Sequence, residues 1–121
     1  MTHISLDVLQ KNVSAVKSRL TRAASSCGRD AKNIRLVSVV KTFPASYTNM
    51  AFSLGLTDFG ENRVQEATSK IEQLAKLPIT WHFIGHLQSN KARNAVTCFD
   101  WIHSVDSEKL LKKLDQAGAE L

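Results

Sequence analysis

Leu6, Leu9, Val13, Val16 and Leu20 recur three or four residues apart with polar and charged residues between them. That period predicts an amphipathic helix from residue 5 to about 26, with Gly28 as its stop. The next apolar run, Ile34 to Val40, suits a strand buried on both faces, and it ends abruptly on Lys41. Pro44 opens a second helix at its first turn. Tyr47, Met50, Ala51 and Leu54 give that helix an apolar face, and Gly55 ends it. A short strand fits Leu56 to Phe59. A third helix runs from about Asn62 to Lys76, with Val64, Ala67, Ile71 and Leu74 inward and Pro78 beyond its end. Ile79 to Ile84 is rich in strand formers. A short helix from about Asn90 to Val96 and a strand from Trp101 to Ser104 follow. A last helix starts near Asp106 or Ser107, both good caps, and carries Leu110, Leu111 and Leu114.

One helix followed by four strand-helix units implies a parallel sheet with right-handed crossovers. Two architectures satisfy that order, an open doubly wound sheet and part of a (β/α) barrel. Both build their chemistry at the C-terminal ends of the strands. Those ends carry Lys41-Thr42, Gly60-Glu61-Asn62, Gly85-His86 and Ser104-Val105-Asp106.

Length and composition narrow the picture. At 121 residues with 43% hydrophobic and 22% charged residues, the chain reads as a single globular domain over residues 1–121. Cys27 and Cys98 lie far apart without metal-ligand spacing and read as reduced thiols. The first residues, MTHISLDVLQ, show no basic segment followed by an apolar core. No run approaches the ~18 apolar residues of a membrane span. A cytoplasmic protein without a membrane partner is therefore expected. The net charge is +5, and the basic excess behind it sits in the first third, where Lys11, Lys17, Arg19 and Arg22 lie on the first helix. Without a recognition motif or interleaved aromatics, a solvated helix face explains that charge, and no nucleic acid is expected.

Several chemistries fall away. Neither a phosphate-binding glycine loop nor a dinucleotide fingerprint occurs. His82 and His86 are four apart, but on a strand that breaks at Gly85 and without the glutamate of a zinc-protease helix. His103 as a third ligand does not rescue a metal site, and hydrogen bonding at the strand ends is the simpler role for these histidines. No nucleophile elbow is present. Lys41 remains, either as a surface charge at a strand end or as a nucleophile. A lysine attacks a carbonyl only as the neutral amine, and desolvation at a strand end favours that form. Pyridoxal phosphate is the usual carbonyl partner for such a lysine.

The blocks "VSVVKTFP", "FGENRVQEA", "WHFIGHLQSNKARNAV" and "FDWIHSVDS" closely resemble the pyridoxal phosphate homeostasis proteins, from the first helix to the last residue. The fold of that family is like the N-terminal barrel of alanine racemase. The resemblance implies an α/β fold of parallel (β/α) units from a TIM-type barrel, here about half of one, since a full ring takes ~250 residues. It implies that Lys41 holds pyridoxal phosphate as an aldimine and that Asn62 lies beside the cofactor ring, where it also suits a helix N-cap. His82 and Ser104 point by strand parity toward the barrel interior or its rim, as cofactor neighbours. Glu61 and Gln65 are expected to brace loops. Lys91 and Arg93 fit either an anion or a solvated helix start.

Two departures from the family stand out. Val40 replaces a small or polar residue before the lysine. The second half of the family, with the block that grips the cofactor phosphate, has no counterpart before the chain stops at "LDQAGAEL". The function implied is intracellular pyridoxal phosphate homeostasis: buffering or delivering the cofactor, with effects on amino-acid and keto-acid metabolism and no settled catalytic reaction. The alternatives are a pyridoxal phosphate-dependent amino-acid racemase and a truncated interaction module without cofactor. Open strand edges imply self-association or pairing with a separate C-terminal half.

Overall fold

The computed structural model describes residues 4–121. Helix α1 (Leu6–Ser26) starts on Ser5, whose hydroxyl accepts the Val8 N–H at 3.3 Å. It ends where Gly28 takes φ +73°, the left-handed conformation that stops helices. Four strand-helix units follow: β1 (Ser38–Val39) and α2 (Ala45–Ser53), β2 (Asp58–Glu61) and α3 (Val64–Gln73), β3 (Thr80–Phe83) and α4 (Ala92–Cys98), β4 (Trp101–Ile102) and α5 (Glu108–Ala119). Short 3₁₀ turns at Ala31–Asn33 and Ser89–Lys91 precede β1 and α4. Ser107 caps α5 by accepting the Leu110 N–H at 3.1 Å. No helix among the described residues is long and apolar enough to cross a membrane.

The strands form one parallel sheet in the order β1-β2-β3-β4. Sequence order equals spatial order, so every crossover has the same sense, as in a barrel built one unit at a time. Four units are half the number in an eight-stranded (β/α) barrel.

Register sorts the side chains onto two faces. Ser38 pairs with Phe59 and Phe59 with Trp81, while Glu61 pairs with Phe83 and Phe83 with Ile102. This face lies under the helices, and Phe59, Trp81 and Phe83 are buried there with Ala67, Ala95, Phe99 and Leu110. Phe83 and Phe99 meet edge to face at 5.1 Å. On the opposite face Val39 pairs with Gly60, Gly60 with His82, and His82 with Trp101. Among the described residues nothing covers this inward face fully, and Val39 and Trp101 are 50% and 52% exposed.

The strands differ in extent from the sequence pattern, β3 by one residue at each end and β4 by stopping at Ile102 rather than Ser104. The run Ile34 to Val40 yields only Ser38–Val39 as strand, because β1 has a ladder partner on one side alone. The second strand begins and ends two residues later than its apolar run, at Asp58–Glu61. Gly60 and Glu61 are therefore inside the sheet rather than in the loop after it. The last helix buries Leu110 but leaves Leu111 exposed, so its apolar face is narrower than the leucine pattern suggested.

Candidate functional site

Lys41 follows β1 directly. The ladder continues one residue past the strand, with the Val40 N–H donating to the Gly60 carbonyl at 3.1 Å. The chain then turns back, the Phe43 N–H donating to the Val40 carbonyl at 3.2 Å. Within this turn Thr42 has φ +68°, the only non-glycine residue with positive φ among those described. A β-branched side chain in that region is strained by ~1–3 kcal/mol, a cost that survives only where the surroundings impose it. The turn leaves Lys41 exposed, on the parity of Val39 and so on the inward face. Its ammonium has no hydrogen-bond or ion-pair partner among the described residues. The side chain is exposed because nothing among the described residues covers the inward face at this strand end.

A second lysine lies beneath the turn. Lys70 of α3 is buried, and its ammonium donates to the Val40 carbonyl and to Glu61 Oε2, each at 2.8 Å. Glu61 is fully buried on the helix-facing side of β2, and its Oε1 has no partner. Burial pushes the Glu61 carboxyl above its ordinary value, only partly offset by the Lys70 hydrogen bond and charge, with Glu66 adding repulsion. Sequence reasoning did not single out Lys70. The signal was present, since Lys70 falls three residues after the inward Ala67 on the same helix.

Asn62 comes next after β2 and is half-buried. It does not cap α3. The N-cap position is Arg63, which makes no side-chain capping bond. The Asn62 amide thus has no protein partner among the described residues. Its backbone is pressed against β3: a Cβ built on Gly85 would stand 2.7 Å from the Asn62 carbonyl oxygen. Only glycine allows the ends of β2 and β3 to approach this closely. The Ser104 hydroxyl donates to the Gly85 carbonyl and so ties the segment after β4 to the same point.

His82 is 1% exposed, and both its ring nitrogens are engaged. Nε2 is 2.8 Å from Asp58 Oδ2, and Nδ1 is 2.9 Å from Nε2 of the exposed His103. Burial would raise the Asp58 carboxyl, but hydrogen bonds from His82, Arg35 and Thr57, together with the Arg35 charge, hold it below its ordinary value. An ionised Asp58 accepts the His82 Nε2–H, and the Nδ1 contact joins the ring to His103. Trp101 stacks on the His82 ring at 6.1 Å, and Arg35 lies over the Trp101 ring at 5.6 Å. His82 therefore links β2, β3 and the end of β4 and keeps no free nitrogen for a ligand.

Lys41, Asn62 and Ser104 do come to one end of the sheet, with Asn62 and Ser104 joined through Gly85. His82 lies lower on the inward face. Gln65 is exposed, and Arg93 is spent on an ion pair with Glu120. Lys91 borders a cleft of about 320 Å³ beside Asn62, Arg63 and His86.

No family model matches the chain. It is 44% identical over 114 residues to the pyridoxal phosphate homeostasis protein of Escherichia coli K12, covering 91% of this chain and 49% of that protein. The protein of the same name from Pseudomonas aeruginosa is 43% identical over 111 residues, covering 92% and 48%. Among solved structures, PipY of Synechococcus elongatus with PLP bound superposes with a TM-score of 0.72 at 48% identity, covering 84% of this chain and 48% of PipY. A protein from Bifidobacterium adolescentis described as unknown superposes with a TM-score of 0.88 at 31% identity, covering 99% and 54%. The chain spans about half the length of the curated relatives it matches. By sequence and by fold, over that half, it belongs to the family of pyridoxal phosphate homeostasis proteins.

Proposed function

We propose that this chain binds pyridoxal phosphate covalently through Lys41 and takes part in cytoplasmic homeostasis of that cofactor, holding and releasing it rather than catalysing a reaction with it. The observation that carries this reading is the presentation of Lys41. A strained turn sets an unpartnered amine at the C-terminal end of β1, on the inward face. The half-buried Asn62 amide at the end of the neighbouring strand is likewise free to meet a polar ring substituent. These residues fit the aldehyde end of the cofactor, which supplies a carbonyl for the Lys41 amine to condense with, losing water.

Ser104 and His82 act in this reading through the frame. Ser104 braces the Gly85 carbonyl, and His82 holds Asp58 and His103 in place across the inward face. The free thiols Cys27 and Cys98 suit a reducing compartment. Tyr47 does not favour the racemase alternative. Its hydroxyl accepts the Ile4 N–H at 3.3 Å and its ring packs edge to face on Phe43 at 5.5 Å, so it is held against the segment before α1 and the turn before α2.

The experiment is chemical trapping. The chain is mixed with pyridoxal phosphate, reduced with borohydride and mapped by peptide mass. One pyridoxyl group on Lys41, lost in Lys41→Ala, is the expected result. Label spread evenly over the surface lysines would refute the assignment.

A further inference from the structure

The Lys70–Glu61 pair is an expensive way to dock a helix. A buried ion pair replaced by apolar side chains of the same volume is often neutral or stabilising, so docking alone gives no reason for one. This pair also leaves Glu61 Oε1 without a partner. What the ammonium does beyond pairing is specific: it donates at 2.8 Å to the carbonyl of Val40, the residue immediately before Lys41. That same carbonyl accepts the Phe43 N–H that closes the turn. The turn contains the strained Thr42, and a strained residue persists only where its neighbours over-determine it. On its other side β1 has no strand neighbour among the described residues, so bonds from β2 and α3 are what hold its end.

Resting on the reading of Lys41 given above, we infer that Lys70, held by Glu61, is a positioning residue for cofactor attachment: its ammonium fixes the Val40 carbonyl and so keeps the turn that presents the Lys41 amine. Lys70 does not touch the cofactor in this arrangement. It lies on the helix side of the sheet, paired with Glu61, while Lys41 lies on the inward side. Two lysines thus divide the work across one strand end, one buried and gripping backbone, the other exposed and reactive.

The test compares the chain with Lys70→Met, which keeps the side-chain length without the ammonium, and with Lys70→Arg, which keeps a cation. A Glu61→Gln/Lys70→Met double variant covers the case in which the unpaired carboxyl left by the single change prevents folding. Two readouts are taken: hydrogen exchange by mass spectrometry on peptides covering 40–47 and 64–73, and the share of trapped pyridoxyl label on Lys41 against the other lysines. In the Met variants, exchange at the Phe43 amide should rise about ten- to a hundredfold, the scale of one lost charge-assisted hydrogen bond. The α3 peptide should be unchanged, the Lys41 share of label should fall about tenfold, and Lys70→Arg should recover most of both. Retained Phe43 protection, or undiminished Lys41 labelling, in the Met variants would overturn the inference. So would faster exchange of the α3 peptide in step with the turn, which is the mark of a pair that only docks the helix. Unselective labelling of the unaltered chain would instead refute the Lys41 reading, and the exchange comparison would then still decide whether Lys70 holds the turn.

Discussion

Gly85→Ala gives a sharp test of how the strand ends are assembled. The added methyl would lie 2.7 Å from the Asn62 carbonyl oxygen, 2.8 Å from its Cβ and 2.9 Å from its Cα. Carbon contacts settle near ~3.5–4.0 Å, so Asn62 and residue 85 must separate by roughly 0.7 Å. No rotamer change relieves this, since two of the three atoms are backbone. Overpacking of this kind costs ~1–3 kcal/mol. The movement also strains the Ile84 N–H to Glu61 carbonyl bond, 2.9 Å long, and the Ser104 hydroxyl bond to Gly85. Each contributes about 1 kcal/mol net. A total of about 2–4 kcal/mol would lower the urea midpoint by about 1–2 M at fixed chain concentration. Gly118→Ala is the internal control, because a Cβ there meets nothing within 4 Å. It lies inside α5, where Ala is favoured over Gly by ~0.8–1.0 kcal/mol, so it should raise the midpoint. Trapping adds a functional readout: Gly85→Ala moves Asn62 and should reduce the label on Lys41. An unchanged midpoint in Gly85→Ala would refute the close approach of β2 and β3 and the place of Asn62 with it.

Other outcomes follow from the same structure. The folded-state pKa of Asp58 is lowered, so its stabilising contribution is present above its unfolded value of 3.8 and is lost as pH falls through the lower folded value; urea midpoints against pH should show Asp58→Asn removing that acid-side loss. Glu61 has the opposite sign. Its contribution is complete below its unfolded value of 4.5 and is lost as pH rises through the higher folded value, so Glu61→Gln should flatten the profile on that side. With Val39 and Trp101 half exposed beside two strand edges, light scattering on the 121 residues should report a mass above 13.4 kDa. A compact monomer with cooperative unfolding would show that these four units cover their own core. Alanine labelled with α-deuterium should keep its label when incubated with the chain and pyridoxal phosphate, and measurable loss from either enantiomer would favour a racemase.

The order of elements was legible because periodicity is local. A stripe at every third or fourth residue makes α1, and apolar spacing together with Gly28, Pro44, Gly55 and Pro78 marks the first three helices. The placement of Lys41 at a strand end and of Asn62 and Ser104 at neighbouring ends also follows from order alone, since parallel strands align their C-terminal ends. Tertiary structure decided what each side chain meets there. Register set β2 two residues later than its apolar run, which took Glu61 out of the loop and into the sheet opposite Lys70. Asn62 lost the capping role because α3 starts at Val64, one residue beyond its reach, and Asp58 took both Arg35 and His82 from distant parts of the chain. Lys41 stayed in water for a reason no local pattern contains. Whether a strand end is dry depends on what lies across the barrel from it, and spacing along one segment carries no information about the opposite wall.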